Sequence, residues 1–158
     1  MNFNDIAKMK ISEIERPPNI PVGTYEAVVS KIPSVDSPPN GAYEFLDFNM
    51  KLVRAHDDVD QDDLKAYGGL GPMATVRRRF LFNTGDAPED KANFERTLFQ
   101  VKTFLKDHLK VEGDSNAALN EMMNNAVNHR CNVFIRWRAD KNDKEIMYAE
   151  IGSTGPVV

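Results

Sequence analysis

The clearest pattern in the chain is the stretch YEFLDFNMKLVR at residues 43–54, in which apolar and polar side chains alternate. A period of two is what a strand shows when one of its faces is buried. The apolar positions of this stretch are Leu46, Phe48, Met50 and Leu52. The pattern therefore predicts a long strand whose even-numbered side chains lie in the core.

Four further stretches predict strands, at residues 24–32, 74–83, 131–139 and 145–151. Their inward-facing positions are predicted to be Tyr25, Ala27, Val29, Val76, Phe80, Phe82, Cys131, Val133, Ile135 and Trp137. Between the third and fourth strands the spacing of apolar residues changes to that of a helix at residues 88–110, followed by a shorter helix at 115–127. Residues 34–42 and 55–73 are rich in glycine, proline and aspartate and are predicted to be loops, with at most one helical turn near residues 62–67.

This element order predicts a mainly β protein of α+β class, a five-stranded OB-like Greek-key barrel with helices between strands 3 and 4. An unrelated barrel or sandwich with a helical insertion is the alternative. We expect an N-terminal arm at residues 1–22, whose prolines at positions 17, 18 and 21 oppose regular structure, then a barrel domain at 23–152 and a short C-terminal tail at 153–158.

The composition is that of an ordinary globular protein. The chain has 158 residues, 41% of them hydrophobic and 28% charged, which favours one domain with its own core. No apolar run reaches the length of about 18 residues that a membrane span needs, and the N-terminus does not resemble a secretion signal. The single cysteine, Cys131, excludes an internal disulfide and is expected in a reducing cytoplasm.

The formal net charge of -4 is concentrated in one place. The acidic stretch, residues 57–63, contains five aspartates, and together with Lys65 it accounts for the whole excess of negative charge. Alternate carboxylates from Asp58 to Asp62 resemble the start of a calcium loop, but Asp63 stands where glycine is needed and Gly69 where a bidentate glutamate is needed. A solvated acidic loop is therefore favoured over a weak divalent site.

No catalytic pattern surrounds the three histidines, His56, His108 and His129. The pair Gly69 and Gly71 lacks the third glycine and the following helix of a dinucleotide-binding fingerprint. We expect a protein that is not an enzyme and that carries no metal or cofactor.

The outward-facing strand positions combine cations with aromatic rings. Single-strand nucleic-acid binders use this mixture, because cations contact phosphates while flat rings stack on bases. The predicted nucleic-acid-binding residues are Tyr43, Phe45, Lys51, Arg77, Arg79, Phe134, Arg136, Arg138, Lys141 and Lys144. The alternative is that exposed arginines protect strands against edge pairing. Binding is favoured at Arg77 and Arg79, whereas Arg136 and Arg138 fit both interpretations equally.

Several short phrases resemble a family of small bacteriophage proteins related to single-stranded DNA-binding proteins of OB-fold type. They are Arg16-Pro17-Pro18 with Pro21, Gly23 and Tyr25, Tyr43-Glu44-Phe45, Arg77-Arg78-Arg79-Phe80, Phe104-Leu105, Asn132-Val133-Phe134-Ile135 and Tyr148-Ala149-Glu150-Ile151. The resemblance implies a single-stranded DNA partner and a place in phage DNA replication or recombination, in the cytoplasm of the infected bacterial host. The acidic C-terminal tail of many such proteins has no counterpart in residues 152–158.

Two classes of function follow. The first is a non-catalytic single-stranded DNA-binding protein, with RNA and a homo-oligomer left open as partners and no membrane partner expected. The second is a virion or assembly protein that uses the barrel as an interaction module and docks its arm on a neighbour. A sugar-binding OB module is a more distant third.

Overall fold

Six strands form one antiparallel sheet in the computed structural model of the protein, which describes residues 2–158. Met1, the first residue of the predicted arm, lies outside the described residues. The strands are β1 (Gly23–Val29), β2 (Ser34–Asp36), β3 (Tyr43–Ala55), β4 (Thr75–Asn83), β5 (Arg130–Ala139) and β6 (Met147–Gly155). The five predicted strands are all present, and the sixth is the three-residue β2 within the predicted loop at residues 34–42.

The strand order is β2-β3-β1-β5-β6, with β4 pairing on β3. The sheet does not close, because β4 pairs with β3 and β6 pairs with β5 but β4 and β6 are not hydrogen-bonded to each other. The mainly antiparallel α+β class is confirmed, whereas the prediction of a five-stranded barrel is wrong in strand number and in closure. Three residues are too few for a period of two to show, and closure depends on strands about 70 residues apart, which no local pattern reports.

The helices lie in the N-terminal segment and in the long connections between strands. They are α1 (Phe3–Ala7), a 3-10 turn (Ile11–Glu13), α2 (Gln61–Tyr67), α3 (Pro88–Thr103) and α4 (Leu119–Asn125). Pro88 begins α3 at a position where its missing N–H costs nothing, and the helix continues as a π-helical turn over Phe104–His108. The predicted helix at 88–110 is therefore present, with a changed last turn. Across residues 2–158, no helix combines the length and apolar character that crossing a membrane would require.

The core lies between the inner face of the sheet and the helical segment formed by the end of α3 and the π-helical turn that follows it. Phe48, Phe80 and Phe104 meet there, with ring centroids 5.0 to 5.8 Å apart. Val101, Leu105 and Leu109 are buried, whereas Phe94 and Leu98, which precede them in the helix, are 39% and 38% exposed. Every side chain from residue 2 to residue 18 is exposed.

Trp137 was predicted to be in the core, and this is wrong: it is 43% exposed. The last four residues of β5 extend past the core and are all exposed. The indole N–H of Trp137 donates to the carbonyl of Ile20 at 2.7 Å. Trp137 therefore holds the end of the N-terminal segment against the sheet instead of filling the interior.

The start of β1 is tied to the acidic stretch. Gly23 has φ +143°, and a Cβ on it would lie 2.6 Å from Cγ2 of Val59. The side chain of Asp58 accepts hydrogen bonds from the N–H and the hydroxyl of Thr24, at 3.0 and 2.8 Å. Asp60 caps the N-terminus of α2 by accepting from the N–H of Asp63. Two of the five aspartates therefore have structural partners.

Candidate nucleic-acid interface

An open groove of about 780 Å³ lies where the sheet fails to close, between β4 and β6. We call it the seam groove. Its walls come from β3 and β4, from β5 and β6, from α2 and from the end of the N-terminal segment. The lining residues are Pro18, Asn19, Ile20, Asn49, Tyr67, Thr75, Val76, Arg77, Arg78, Arg79, Arg138, Tyr148, Ala149, Glu150 and Ile151.

Positive charge dominates the seam groove although the protein as a whole is acidic. Four arginines line it, Arg77, Arg78, Arg79 and Arg138. Among the described residues that line it, the one acidic side chain is Glu150. A concave site lined by one sign of charge attracts ligands of the opposite sign.

Asp47 forms ion pairs with two of these arginines, Arg77 and Arg79. Arg79 donates to its two carboxylate oxygens at 2.7 and 2.9 Å, in the bidentate geometry that suits a guanidinium. Arg77 lies 3.9 Å from the same carboxylate and keeps a side chain that is 52% exposed. The hydrogen bond from Arg79 is the main cause of a lowered pKa at Asp47. Asp47 thus neutralises part of the positive charge on this face and leaves Arg77 the more accessible cation.

Two of the three aromatic residues predicted to stack on bases, Tyr43 and Phe45, have their rings in contact with other side chains of the protein. The guanidinium carbon of Arg79 lies 4.0 Å from the ring centre of Phe45, so one face of Phe45 is covered. Tyr43 meets Phe45 edge to face, with centroids 5.1 Å apart. Both rings are half-buried and neither lines the seam groove. Lys51 also lies outside the groove, opposite Thr75 on β4.

Arg136 and Arg138 share one carboxylate across the β5–β6 pair. Their Nε atoms lie 3.0 and 3.1 Å from the two oxygens of Glu150. Arg138 lines the seam groove beside Tyr148, whereas Arg136 does not. The arm approaches the same place, because Asn19 donates to the carbonyl of Met147 at 2.7 Å and the Arg16 guanidinium lies 5.2 Å from the Tyr148 ring centre.

Of the ten predicted binding residues, the structure brings Arg77, Arg79 and Arg138 together in the seam groove. Phe134 is exposed on β5, paired with Thr24 and Ser153 on its two sides. Lys141 and Lys144 are exposed in the β5–β6 turn, outside the groove. The predicted set therefore divides into one clustered group and several separate positions.

Sequence reasoning missed the other twelve residues that line the groove, among them Asn49, Tyr67, Arg78, Tyr148 and Glu150. The sequence pattern could have indicated one of them, Arg78. Arg78 falls on the inward parity of β4, between Val76 and Phe80, where a buried strand face is expected to be apolar. Such a violation of the pattern marks functional positions more often than chance.

The remaining titratable groups have other surroundings. Burial raises the pKa of the Cys131 thiol to about 12, as expected of a core cysteine that is not reactive. Within residues 2–158, no group of three or more His, Cys, Asp or Glu side chains is placed to hold a metal ion.

The chain was also compared with known proteins. No family model matches it, and no curated protein sequence matches it significantly. The resemblance to phage single-stranded DNA-binding proteins therefore stays a prediction that rests on the phrases quoted above.

Proposed function

We propose that the protein binds single-stranded DNA in the seam groove without catalysing a reaction. The observation that carries this proposal is the presence of four arginines and two tyrosines, Tyr67 and Tyr148, around one open groove. Arginines neutralise phosphates and release counterions, and tyrosine rings stack on bases without reading sequence. The volume of the groove is in the range of ligand sites.

The topology supports a finer description of the fold. We propose an OB-like arrangement of the strands in a sheet that stays open between β4 and β6. β1 is the central strand and pairs with β3 and β5, and the principal helix connects β4 to β5. OB-folds bind oligonucleotides on the strands that correspond to β3 and β4. A role in phage DNA replication or recombination is part of the proposal and rests on the sequence resemblance alone.

The test is fluorescence anisotropy with a labelled deoxythymidine oligonucleotide and a matched duplex, at about 50 mM salt and above. We expect preference for the single strand and an affinity that falls steeply with salt. Equal affinity for both forms, or no binding at the lowest salt, contradicts the proposal.

A pair of matched variants then places the site. Arg77 and Arg54 are exposed to a similar extent, 52% and 56%, and each has a carboxylate 3.9 Å from its Nε. Arg54 faces Glu26 outside the groove. We expect Arg77→Ala to flatten the salt slope by about 0.7, one phosphate contact on a single strand, and Arg54→Ala to leave it unchanged. Equal effects of both changes would place binding elsewhere.

An assembly role is the second candidate, favoured by a different observation. The first part of the N-terminal segment, residues 3–14, exposes five large apolar side chains, Phe3, Ile6, Met9, Ile11 and Ile14. Exposed apolar clusters mark contacts with other proteins. This role predicts self-association that is lost when these residues are changed to serine, measured by sedimentation, with no effect of the same changes on oligonucleotide affinity.

A further inference from the structure

Arg78 differs from the other arginines of the seam groove because it points inward. It shares the inner face of β4 with Val76 and Phe80, and its guanidinium carbon lies 4.3 Å from the ring centre of Phe80. Its Nη1 donates to the carbonyl of Arg79 at 3.3 Å. Its Nε is buried and has no hydrogen-bond partner among the described residues.

Arg78 also lacks a counter-ion. Arg77 and Arg79 share Asp47, and Arg138 has Glu150, but no described carboxylate lies within 4.0 Å of Arg78. Burial lowers the pKa of its guanidinium, although an arginine keeps its charge in proteins. Arg78 is partly buried, and a partly buried charge without a counter-ion lowers the stability of a fold. An anion bound from outside would supply that counter-ion.

The neighbouring titratable group adds no negative charge. The pKa of His108 is lowered, mainly by burial and further by the positive charges of Arg78 and Lys110, while Asp107 opposes the shift. Cys131 is a neutral thiol. The two titratable groups that interact with Arg78, His108 and Cys131, therefore supply it with no negative charge.

A ligand can approach Arg78 from two sides. It lines the seam groove, and it also lines a smaller pocket of about 310 Å³ between β4 and α3. That pocket has further donors in Asn93, Arg96 and Gln100. An anion bound at Arg78 would add hydrogen bonds to a planar guanidinium.

We propose that Arg78 is an internal phosphate-binding residue, which receives a phosphate group inserted between β4 and β6. Under the proposed function, on which this source of the ligand rests, the group is a phosphodiester of a single strand that enters the open seam. Free phosphate has the same chemistry and is the other source. The outer arginines then hold the strand while Arg78 holds it from inside.

The experiment compares Arg78→Met, Arg78→Lys and the control Arg54→Met with the unchanged protein. Met keeps the apolar stem without the charge, and Lys keeps the charge without the planar fork. We expect Arg78→Met to weaken oligonucleotide binding at least about tenfold and to flatten the salt slope by about 0.7. Its urea midpoint should be equal or higher, because the change removes a partly buried charge that has no counter-ion among the described residues. Arg78→Lys should keep the slope and bind with intermediate affinity.

Inorganic phosphate is the second probe, read as the shift of the thermal midpoint. Phosphate stabilises most proteins as a kosmotrope, so the informative quantity is the shift in the unchanged protein minus that in Arg78→Met. Arg54→Met should shift as the unchanged protein does.

The outcomes separate the two proposals. Oligonucleotide binding that is lost in Arg78→Met supports both. Binding that is unchanged in both Arg78 variants overturns the inference and leaves the proposed function standing. No oligonucleotide binding, with a phosphate shift that needs Arg78, overturns the proposed function and keeps the anion site. If the protein shows neither oligonucleotide binding nor a phosphate shift that needs Arg78, both proposals are overturned. If Arg78→Met does not fold, Arg78→Lys decides: weaker binding at an unchanged midpoint supports the inference, and unchanged binding overturns it.

Discussion

Asp47 determines how much positive charge the outer face of β3 and β4 presents. It is 5% exposed, and it faces Arg79 across the β3–β4 pair. Because the carboxylate fixes the Arg79 guanidinium at two atoms, Arg79 is oriented before any ligand arrives. A phosphate that approaches this face must either share these arginines with Asp47 or take them from it.

We expect Asp47→Asn to raise the affinity for single strands. The change removes the competing carboxylate, and the freed arginines should steepen the salt slope by about 0.7. Stability should fall by about 1–3 kcal/mol, since a hydrogen bond between charged groups is lost near the core. Anisotropy and urea unfolding measure the two effects. Asp36→Asn is the control, because Asp36 is exposed and 3.8 Å from Arg79. A fall in affinity would mean that orientation by Asp47 matters more than the freed charge.

The lowered pKa of Asp47 also makes the free energy of unfolding depend on pH. Its pKa is lower in the folded state than in the unfolded chain, so its contribution to stability is complete above the unfolded value of about 3.9 and is lost as the pH falls through the folded one. Urea midpoints of the unchanged protein should fall in this acid range, and those of Asp47→Asn should fall less. If the urea midpoints of the two proteins fall equally with pH, the ionised Asp47 carboxylate does not contribute to stability in this way.

His108 should act in a different pH range. Burial is the main cause of its lowered pKa, and its Nδ1 lies 2.8 Å from the Thr154 hydroxyl. The unfolded chain binds a proton near pH 6.5, about the ordinary value, before the folded protein does. Stability is therefore complete above that pH and declines as the pH falls through the folded pKa. In His108→Asn this decline should disappear from unfolding curves recorded between about pH 7.5 and 5; its persistence would assign the effect to another group.

At the scale of elements, β4 shows what a local pattern can and cannot predict. The period of two predicted that Phe80 lies on the buried face of β4 and that Arg77 and Arg79 lie on the opposite face, and the structure confirms this. Arg78 broke the pattern, because its surroundings depend on β6 and α3, which lie far along the chain. The prediction that Trp137 is buried was wrong for a related reason. Alternation along a strand predicts which face a side chain lies on, but not how far along the strand the core extends.

The two faces of β4 predict different costs of mutation. Phe80 is buried against Phe48 and Phe104, whereas the adjacent Leu81 is on the outer face and 46% exposed. We expect Phe80→Ala to lower the free energy of unfolding by about 3–5 kcal/mol, through lost burial and a cavity. Leu81→Ala should cost within about 0.5 kcal/mol. Urea unfolding of the two variants measures this difference, and similar costs would contradict the assignment of the faces.

At the scale of the whole molecule, the candidate site exists because β4 and β6 do not pair. These strands lie at Thr75–Asn83 and Met147–Gly155, with α3 and α4 between them in sequence. Periodicity therefore predicted five of the six strands and three of the groove arginines, but it carried no information on which strand edges face each other. Tyr67 and Tyr148 belong to the site only through this long-range arrangement.

The net charge of -4 should oppose the binding of a polyanion even though the groove itself is basic. The acidic stretch is the main source of that charge, and it leads into α2, whose last residue, Tyr67, lines the seam groove. Asp63 lies one turn before Tyr67 and is exposed. Exposed charges act over about 10 Å at 0.1 M salt, so these carboxylates should repel a bound strand at low salt and lose that effect at high salt.

The test changes the aspartates without a partner and spares those that hold the fold. In Asp57→Asn/Asp62→Asn/Asp63→Asn, the formal charge rises from -4 to -1, while Asp58 keeps its bonds to Thr24 and Asp60 keeps its cap on α2. We expect affinity for the oligonucleotide to rise about threefold to tenfold at 50 mM salt, as electrostatic repulsion is removed, and to converge with the unchanged protein near 0.5 M, where screening is strong. The control is Asp58→Asn, which removes one charge and a structural contact, and should lower the urea midpoint. An affinity that falls in the triple variant would show that the acidic stretch contacts the ligand, directly or through a cation, and would require a binding surface other than the seam groove alone.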